Sequence, residues 1–420
     1  MSIQLESPAA MNPSRTTKRR PLRVALLTNE NTPYRVPLYR ELAATPNWEF
    51  QVFTCTDREF DRLWDVTETS GFATKKSYSF KYMRRQRFGN DQVCLVDKEV
   101  HLPIGIVPDL LKFRPDVVLS NEFGARTMLA ALTAKLAGHK LIVYSEGTPH
   151  TEGSISGSQK LLRRFLCGRP DAYICNGRES REYLETLGIS SNDIFEVGQA
   201  LDLETFDHEV PESDRDSLRA EWGVTGVCYL YVGQLIKFKG IANLVQAWKV
   251  FCQDQAIDAT LVLAGAGSDR KFLEAEIAEA GLTNVKLLGF IPRQELVTVC
   301  SAADVFVFPS LTDTFGLVIL EAMSAGTPVA AYPAPGPIDI IPGSQAGVLA
   351  ASATEGLREA CLDALKLDRK RVRAFAETFS WRACAEDFVR NLQPYPEPEK
   401  TRFWRRLRRL ARVRRRRPEA

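Results

Sequence analysis

Continuous apolar runs recur along the chain at intervals long enough to hold a helix. The first half contains "LRVALLTN", "EFQVFTC", "DVVLSN", "KLIVYSE" and "AYICNG". A strand with one face in water alternates apolar and polar residues, whereas these runs are apolar on both faces, which predicts parallel sheet covered by helices on each side. The stretch "PESDRDSLRAEWG" (211–223) is charged and ends in glycine, so it reads as a linker region and the first helix of a second unit. The same alternation then restarts with "CYLYVG", "TLVLAG", "VKLLG", "VFVFPS" and "PVAAY". The expected fold is therefore α/β: two doubly wound parallel-sheet (Rossmann-like) domains whose strand C-termini face a cleft. The segment around Phe379-Ser380-Trp381 begins a last helix long enough to cross back to the first half. The expected organisation is a disordered segment over 1–20, an α/β domain over 21–205, a second over 206–378, a closing helix over 379–396 and a basic amphipathic tail over 397–420.

Length fits this division, since 420 residues exceed what one ordinary core accommodates. The composition is globular, with 45% hydrophobic and 25% charged residues. No apolar run reaches membrane-spanning length and no apolar signal region opens the chain, which predicts a cytoplasmic protein. Nine cysteines without a C-x-x-C pair and only four histidines predict free thiols and no metal site. The formal net charge of +3 hides an asymmetry: ten arginines lie between Arg402 and Arg417, and taking these ten from +3 leaves −7 for the rest. Basic character is thus a property of the tail, which argues against a nucleic-acid-binding face on the folded part. On a helix, Phe403, Leu407, Leu410 and Ala411 fall together beside Trp404 with arginines around them, the pattern of a segment lying on an anionic membrane surface.

Candidate chemistry gathers where strands end. In "FPSLTDTFGLVILEAMSAGTPVAAY" (308–332), Asp313 precedes a helix and Glu321 falls two turns later, with the N–H groups of Phe315, Gly316 and Leu317 between them at a helix N-terminus that favours an anion. An N-capping Asp with a half-exposed Glu would give the same letters. In "YVGQLIKFKGI" (231–241), Gly233 permits a tight turn and Lys237 and Lys239 stand where a diphosphate could be neutralised, or where a turn is simply solvated. "LVLAGAGSDR" (261–270) lacks the third glycine of a dinucleotide fingerprint, so a nicotinamide or flavin enzyme is disfavoured. Asp214-x-Asp216 has no strand before it and reads as chance. "SEGTPHTEG" (145–153) follows a strand and carries Glu146, His150 and Glu152, a polar cluster at the functional end of this architecture.

Taken in order, "YVGQLIKFKG", "LVLAGAGSD", "VKLLGFIP", "AADVFVFPSLTDTFGLVILEAMSAGTPVAA" and the later Phe-Ser-Trp resemble the retaining glycosyltransferases of family 4, which have the GT-B fold. The resemblance covers about 220–390 by motif and 22–205 mainly by strand pattern and "VGQALDLETF". It implies that the family's E-x7-E acids map onto Asp313, holding hydroxyls of the donor sugar, and Glu321, holding the ribose. The diphosphate clamp maps onto Gln234 and Lys239, and Phe315, Gly316 and Leu317 supply amides to the donor. Three departures accompany it: Asp313 is one methylene shorter than the usual Glu, Gln234 replaces an arginine, for which Lys237 could substitute, and Glu146 stands where a histidine is common. The Gly-rich loop after the first strand is also replaced, by "NTPYRVPLY".

The resemblance implies transfer of a sugar from a nucleotide-sugar donor to a glycan or lipid-linked acceptor with retention of configuration, without metal or cofactor, in cell-surface polysaccharide or glycolipid synthesis. Asp313, Lys239 and Glu146 are the expected catalytic residues; Gly233, Gln234, Lys237, Phe315, Gly316, Leu317 and Glu321 are expected to bind donor. The expected location is the inner face of the cell membrane, through Arg402 to Arg417. Two other classes fit the same fold: a non-catalytic nucleotide-sugar-binding protein and a sugar-nucleotide epimerase.

Overall fold

The structure of the chain is a computed structural model that describes residues 20–58, 69–88, 94–152, 155, 157–202, 206, 209–252, 258–311, 313, 315–352 and 356–392. The N-terminal segment 1–19 and the basic tail 397–420 lie outside the described residues. Arg20 lies within them, its guanidinium bonded to Asp116 at 2.9 Å.

The predicted apolar runs are all strands. In the first half, β1 (Leu22–Thr28), β2 (Trp48–Thr54) and β3 (Ala73–Lys76) are followed by a hairpin of β4 (Phe80–Phe88) and β5 (Cys94–Leu102), then by β6 (Val117–Asn121), β7 (Lys140–Ser145), β8 (Ala172–Cys175) and β9 (Ile194–Glu196). Apart from the antiparallel hairpin, they form one parallel sheet in the order β3-β2-β1-β6-β7-β8-β9. The sequence pattern missed β3, β9 and the hairpin. β3 reads "ATKK" because an edge strand needs little apolar surface. The run "FKYMRRQRF" of β4 reads as a basic segment.

Away from the exposed edge strand β3, both faces of this sheet are covered. Val24 and Leu26 of β1 face a core shared with α1 (Val36–Ala43) and the final helix Trp381–Leu392. Ala25 and Leu27 face the opposite core, under α2 (Ile106–Phe113) and α3 (Ala125–Ala137). Further along that face lie α4 (Pro149–Glu152), α5 (Gly157–Leu166) and α6 (Gly177–Thr186). Here Phe123, Val143, Leu166 and Tyr173 form a third cluster.

The second half repeats the plan. Strands β10 (Val227–Val232), β11 (Ala259–Ala264), β12 (Val285–Gly289), β13 (Val305–Phe308), β14 (Val329–Ala331) and β15 (Gly347–Leu349) pair in parallel in the order β12-β11-β10-β13-β14-β15. Only the short edge strand β15 was missed. Helix Glu212–Glu221 carries Asp214 and Asp216 on its exposed side, within the segment read as linker and first helix. In both sheets the order reverses beside the first strand, at β1/β6 and at β10/β13, which opens a crevice at the carboxyl ends of the strands.

The halves touch where their connections cross and beside α6. Leu201 N donates to Phe379 O at 2.7 Å where the outgoing and returning connections run side by side. Asp339, in helix Pro337–Ile340, accepts from Arg178 N at the start of α6 (3.2 Å). Beyond the crossing, Trp381, Cys384, Ala385, Phe388 and Leu392 fill the first sheet's core, with Phe388 edge-on to Tyr144 at 5.4 Å. Removing that ring leaves a cavity that a packed sheet cannot collapse. Phe388→Ala is expected to destabilise the chain by about 3–5 kcal/mol, read by denaturant unfolding; a loss well under 1 kcal/mol would show that the last helix is dispensable to the first half.

Candidate functional site

The carboxyl edge of the second sheet carries most of the residues singled out in the sequence. After β10 the chain turns through Gly233 and Gln234 into a single 3-10 turn, Lys237–Lys239. Tyr231 Oη donates to Gln234 O (2.9 Å), which fixes that turn, while the Gln234 and Lys237 side chains face solvent. Gly240 follows with φ 69°, and a Cβ there would lie 2.0 Å from Pro309 O, so only glycine lets this loop press against the loop after β13. Gly265 meets Gly233 O in the same way, at 1.8 Å from an added Cβ. The "GAG" of "LVLAGAGSD" therefore serves backbone packing between neighbouring loops.

This packing brings Lys239 and Asp313 together: Nζ donates to Oδ2 at 2.5 Å, both side chains being largely buried. Phe315 is buried, and Gly316, at φ 77°, opens helix Leu317–Ser324. Ile319 belongs to the buried face of this helix, and Leu317 is only partly buried. Glu321 lies two turns beyond Asp313, as expected, and is buried. Its Oε1 accepts from Arg293 Nη1 at 2.8 Å, and the Arg293 guanidinium also sits 4.9 Å over the ring of Phe206. Burial pushes the Glu321 carboxyl up from its ordinary range, and Arg293 opposes that rise. Arg293 went unnoticed in the sequence; its one signal was a cation just after "GFIP" in the loop following β12.

A second polar cluster occupies the carboxyl edge of the first sheet, around a cavity of 80 Å³ lined by Thr28, Tyr34, Arg35, Asn121, Glu122 and Glu146 among others. Glu146, just after β7, is held at one oxygen. Its Oε1 accepts from Tyr144 Oη (3.1 Å), Asn176 Nδ2 (3.1 Å) and Gln199 Nε2 (3.3 Å), and the same atom pairs with buried Arg35. The Arg35 guanidinium also lies 4.9 Å over the Tyr144 ring, so the "NTPYRVPLY" loop contributes a cation where glycines were missing. The first sheet thus builds a hydroxyl- and aromatic-rich pocket around one arginine–carboxylate pair.

Glu122, at the end of β6, was also missed. It is a non-glycine residue at φ 63°, a conformation that costs about 1 kcal/mol or more. In return its N–H extends the ladder to Tyr144 O (2.7 Å), and its carboxyl accepts from Glu146 N (2.7 Å) and Ser145 Oγ (3.1 Å). Glu152, on α4, pairs with Arg163 of α5 and stands close enough to act on Glu122. Of the sequence cluster 145–153, then, Glu146 lines the cavity and Glu152 backs it. The side chain of His150 lies outside the described residues.

Residues 214–378 match the family described as glycosyl transferases group 1, and the fold is the two-domain GT-B fold. Among its relatives, it is 35% identical over 159 residues to the 2-deoxystreptamine glucosyltransferase of Streptomyces kanamyceticus, covering 37% of this chain and 40% of that protein. It is 29% identical over 259 residues to the D-inositol 3-phosphate glycosyltransferase of Corynebacterium aurimucosum, covering 57% and 59%. The chain therefore spans about half the length of the curated relatives it matches. Among solved structures, Anabaena Alr3699/HepE in complex with UDP superposes with a TM-score of 0.68 at 19% identity, over 89% of this chain and all of that one.

Burial and the nearby Glu152 push the Glu122 carboxyl up to about 7 from an ordinary value near 4.5. A carboxyl whose folded pKa is raised contributes stability that is present below the unfolded value and lost as pH rises through the folded one. The parent should therefore lose stability from this group between about pH 4.5 and 7, and Glu122→Gln should not. Thermal unfolding of both across that window is expected to show the variant gaining on the parent as pH rises; a constant gap would mean that Glu122 does not titrate there.

Proposed function

We propose that the chain is a glycosyltransferase that moves a sugar from a nucleotide-sugar donor to a glycan or lipid-linked acceptor with retention of configuration, in the synthesis of cell-surface polysaccharide or glycolipid. The observation that carries this reading is the Lys239–Asp313 pair seated beside the start of helix Leu317–Ser324, with the Glu321–Arg293 pair two turns along. A donor presents the two chemistries this arrangement fits. Its diphosphate competes for Lys239 and for the N–H groups of Phe315, Gly316 and Leu317, and its sugar hydroxyls compete for Asp313. One ligand thus replaces an internal ion pair by two external contacts without leaving a buried charge unpaired. Glu321 accepts from Arg293 at Oε1, and its remaining acceptor positions suit ribose hydroxyls. Gly233 and Gln234 bring the backbone of the β10 loop to the same edge, with Lys237 exposed beside it. UDP is the ligand of the similar Anabaena structure, which supports a nucleotide donor.

In the reaction, the acceptor oxygen bonds to the anomeric carbon on the face from which the diphosphate departs. The carbon–oxygen bond to phosphate breaks, and the acceptor's proton passes to the departing phosphate oxygen. Charge that develops on that phosphate is stabilised by Lys239 and the helix amides. Glu146, fixed by Arg35 and three neutral donors, has the geometry of a group that orients hydroxyls of the sugar or acceptor. The chain's own residues supply the charge stabilisation, so we assign no metal or cofactor to the site.

No helix among the described residues is long and apolar enough to cross a membrane. We assign the arginine-rich tail to an anionic membrane surface on the cytoplasmic side, where it would hold the cleft near a lipid-linked acceptor.

Lys239→Ala is expected to lose most transfer activity while the chain still folds, at a lower unfolding midpoint because Asp313 loses its lysine partner, since the larger effect is on the developing phosphate charge. Turnover within about twofold of the parent would remove Lys239 from the mechanism. Donor hydrolysis by the pure parent chain, followed by nucleotide release, separates this reading from a binding protein that turns nothing over.

The two acids of helix Leu317–Ser324 and its approach are expected to fail differently. Asp313→Asn should lower turnover or alter donor choice, whereas Glu321→Gln should weaken donor and free nucleotide alike, as uniform binding is lost. Calorimetric titration with UDP checks this; unchanged nucleotide affinity in Glu321→Gln would overturn the ribose assignment.

A further inference from the structure

Away from the cleft, the outer side of the first half carries an apolar surface with an unusual charge pattern. Helices α3 and α5 pack together through Met128, Ala131, Leu162, Leu166 and Cys167. Beside that seam each helix exposes an apolar pair one turn apart: Leu132 and Leu136 (52% and 42% exposed) on α3, and Leu161 and Phe165 (70% and 50% exposed) on α5. Folding has left these four side chains in water although burial of each would be favourable. Neither helix contains an aspartate or glutamate. The exposed charges around the pairs are cations: Lys135 on α3, Lys160 and Arg164 on α5, and Arg169 just beyond, its guanidinium stacked 3.6 Å over the Phe165 ring.

On its other side α5 walls a cavity of 490 Å³ together with α6. Lys160, Arg163 and Arg164 line it with Tyr183 and Thr186, and Glu152 is the acid in its wall, already paired with Arg163. Lys160 and Arg164 thus stand at the rim of a space large enough for a polar headgroup.

We propose that the α3–α5 face docks on an anionic lipid bilayer, inserting Leu132, Leu136, Leu161 and Phe165 among the acyl chains' upper segments and setting Lys135, Lys160, Arg164 and Arg169 against headgroup phosphates. Protruding apolar side chains flanked by cations, on two helices without acids, fit that surface: the cations attract it from a distance, and the apolar groups hold once in contact. A second copy of the chain is a poor occupant, because face-to-face contact would set four cations against four. The inference extends the membrane part of the reading above from the tail to the folded domain. It rests on that reading only for the acceptor's being lipid-linked, and its test reads lipid binding and not transfer, so the two can fail separately.

The test uses the full-length chain with vesicles of phosphatidylcholine containing roughly one third phosphatidylglycerol, and with phosphatidylcholine alone. The parent should bind the anionic vesicles, and their addition should slow amide exchange in residues 125–137 and 157–166. Leu161→Ser combined with Phe165→Ser removes only exposed groups and should weaken binding about tenfold with unfolding unchanged. Phe272→Ser, an equally exposed ring in the second half, should leave binding at the parent's level. The proposal is overturned if the double variant binds like the parent, if slowed exchange is confined to residues 397–420, or if the double substitution alters self-association in solution while vesicle binding stays the same.

Discussion

The reversal of strand order beside β1 and β10 is the constraint on which the rest of this structure depends. At each reversal the connections from neighbouring strands leave in opposite directions, so the backbone opens at the carboxyl edge and side chains from distant segments can meet there. In the second sheet the opening is then narrowed. Gly240 lies against the Pro309 carbonyl and Gly265 against that of Gly233, at separations a Cβ would forbid. Those contacts place Lys239 and Asp313, 74 positions apart in the chain, within one hydrogen bond. In the first sheet the opening is filled instead by Arg35, Tyr144 and Glu146, which leaves a small polar pocket.

Charge in both openings is handled mainly by pairing, Glu122 being held instead by a hydroxyl and a backbone N–H. Glu146 has Arg35, Glu152 has Arg163, Asp313 has Lys239 and Glu321 has Arg293. A carboxylate moved out of water without such a partner costs several kcal/mol; the pairs keep that cost low. The arrangement also explains why arginine stands at three of the four positions. Its planar fork holds a carboxylate in place while stacking on a ring, as Arg35 does on Tyr144 and Arg293 on Phe206.

Much of this was legible in the sequence. Nine of the ten apolar runs marked interior strands of the two sheets, because a strand covered on both faces has no polar alternation to obscure it, and the tenth marked the edge strand β12. Asp313, Glu321, Lys239 and Glu146 stood out because each follows such a run. The missed features share a cause: they take their meaning from partners far away in the chain. Arg293 and Arg35 read as ordinary surface cations until Glu321 and Glu146 are seen against them, and β3, β9 and β15 are short or polar because they sit at or near sheet edges. Glu122 had no local signal, since a left-handed backbone at a glutamate is visible only in three dimensions.

The position of the last helix has a consequence for how the chain comes into being. Trp381, Phe388 and Leu392 complete the core beneath β1, β6 and β7, although more than 200 residues, including the whole second sheet, separate them from β8. During synthesis the first half therefore emerges with one of its hydrophobic faces covered only in part, by α1, and it stays so until residues 381–392 have left the ribosome. The second sheet, whose core among the described residues is drawn from Leu201 to Phe379, can close that core first. The unit made first is thus the last to be finished, and an apolar face must be shielded from other chains throughout the interval.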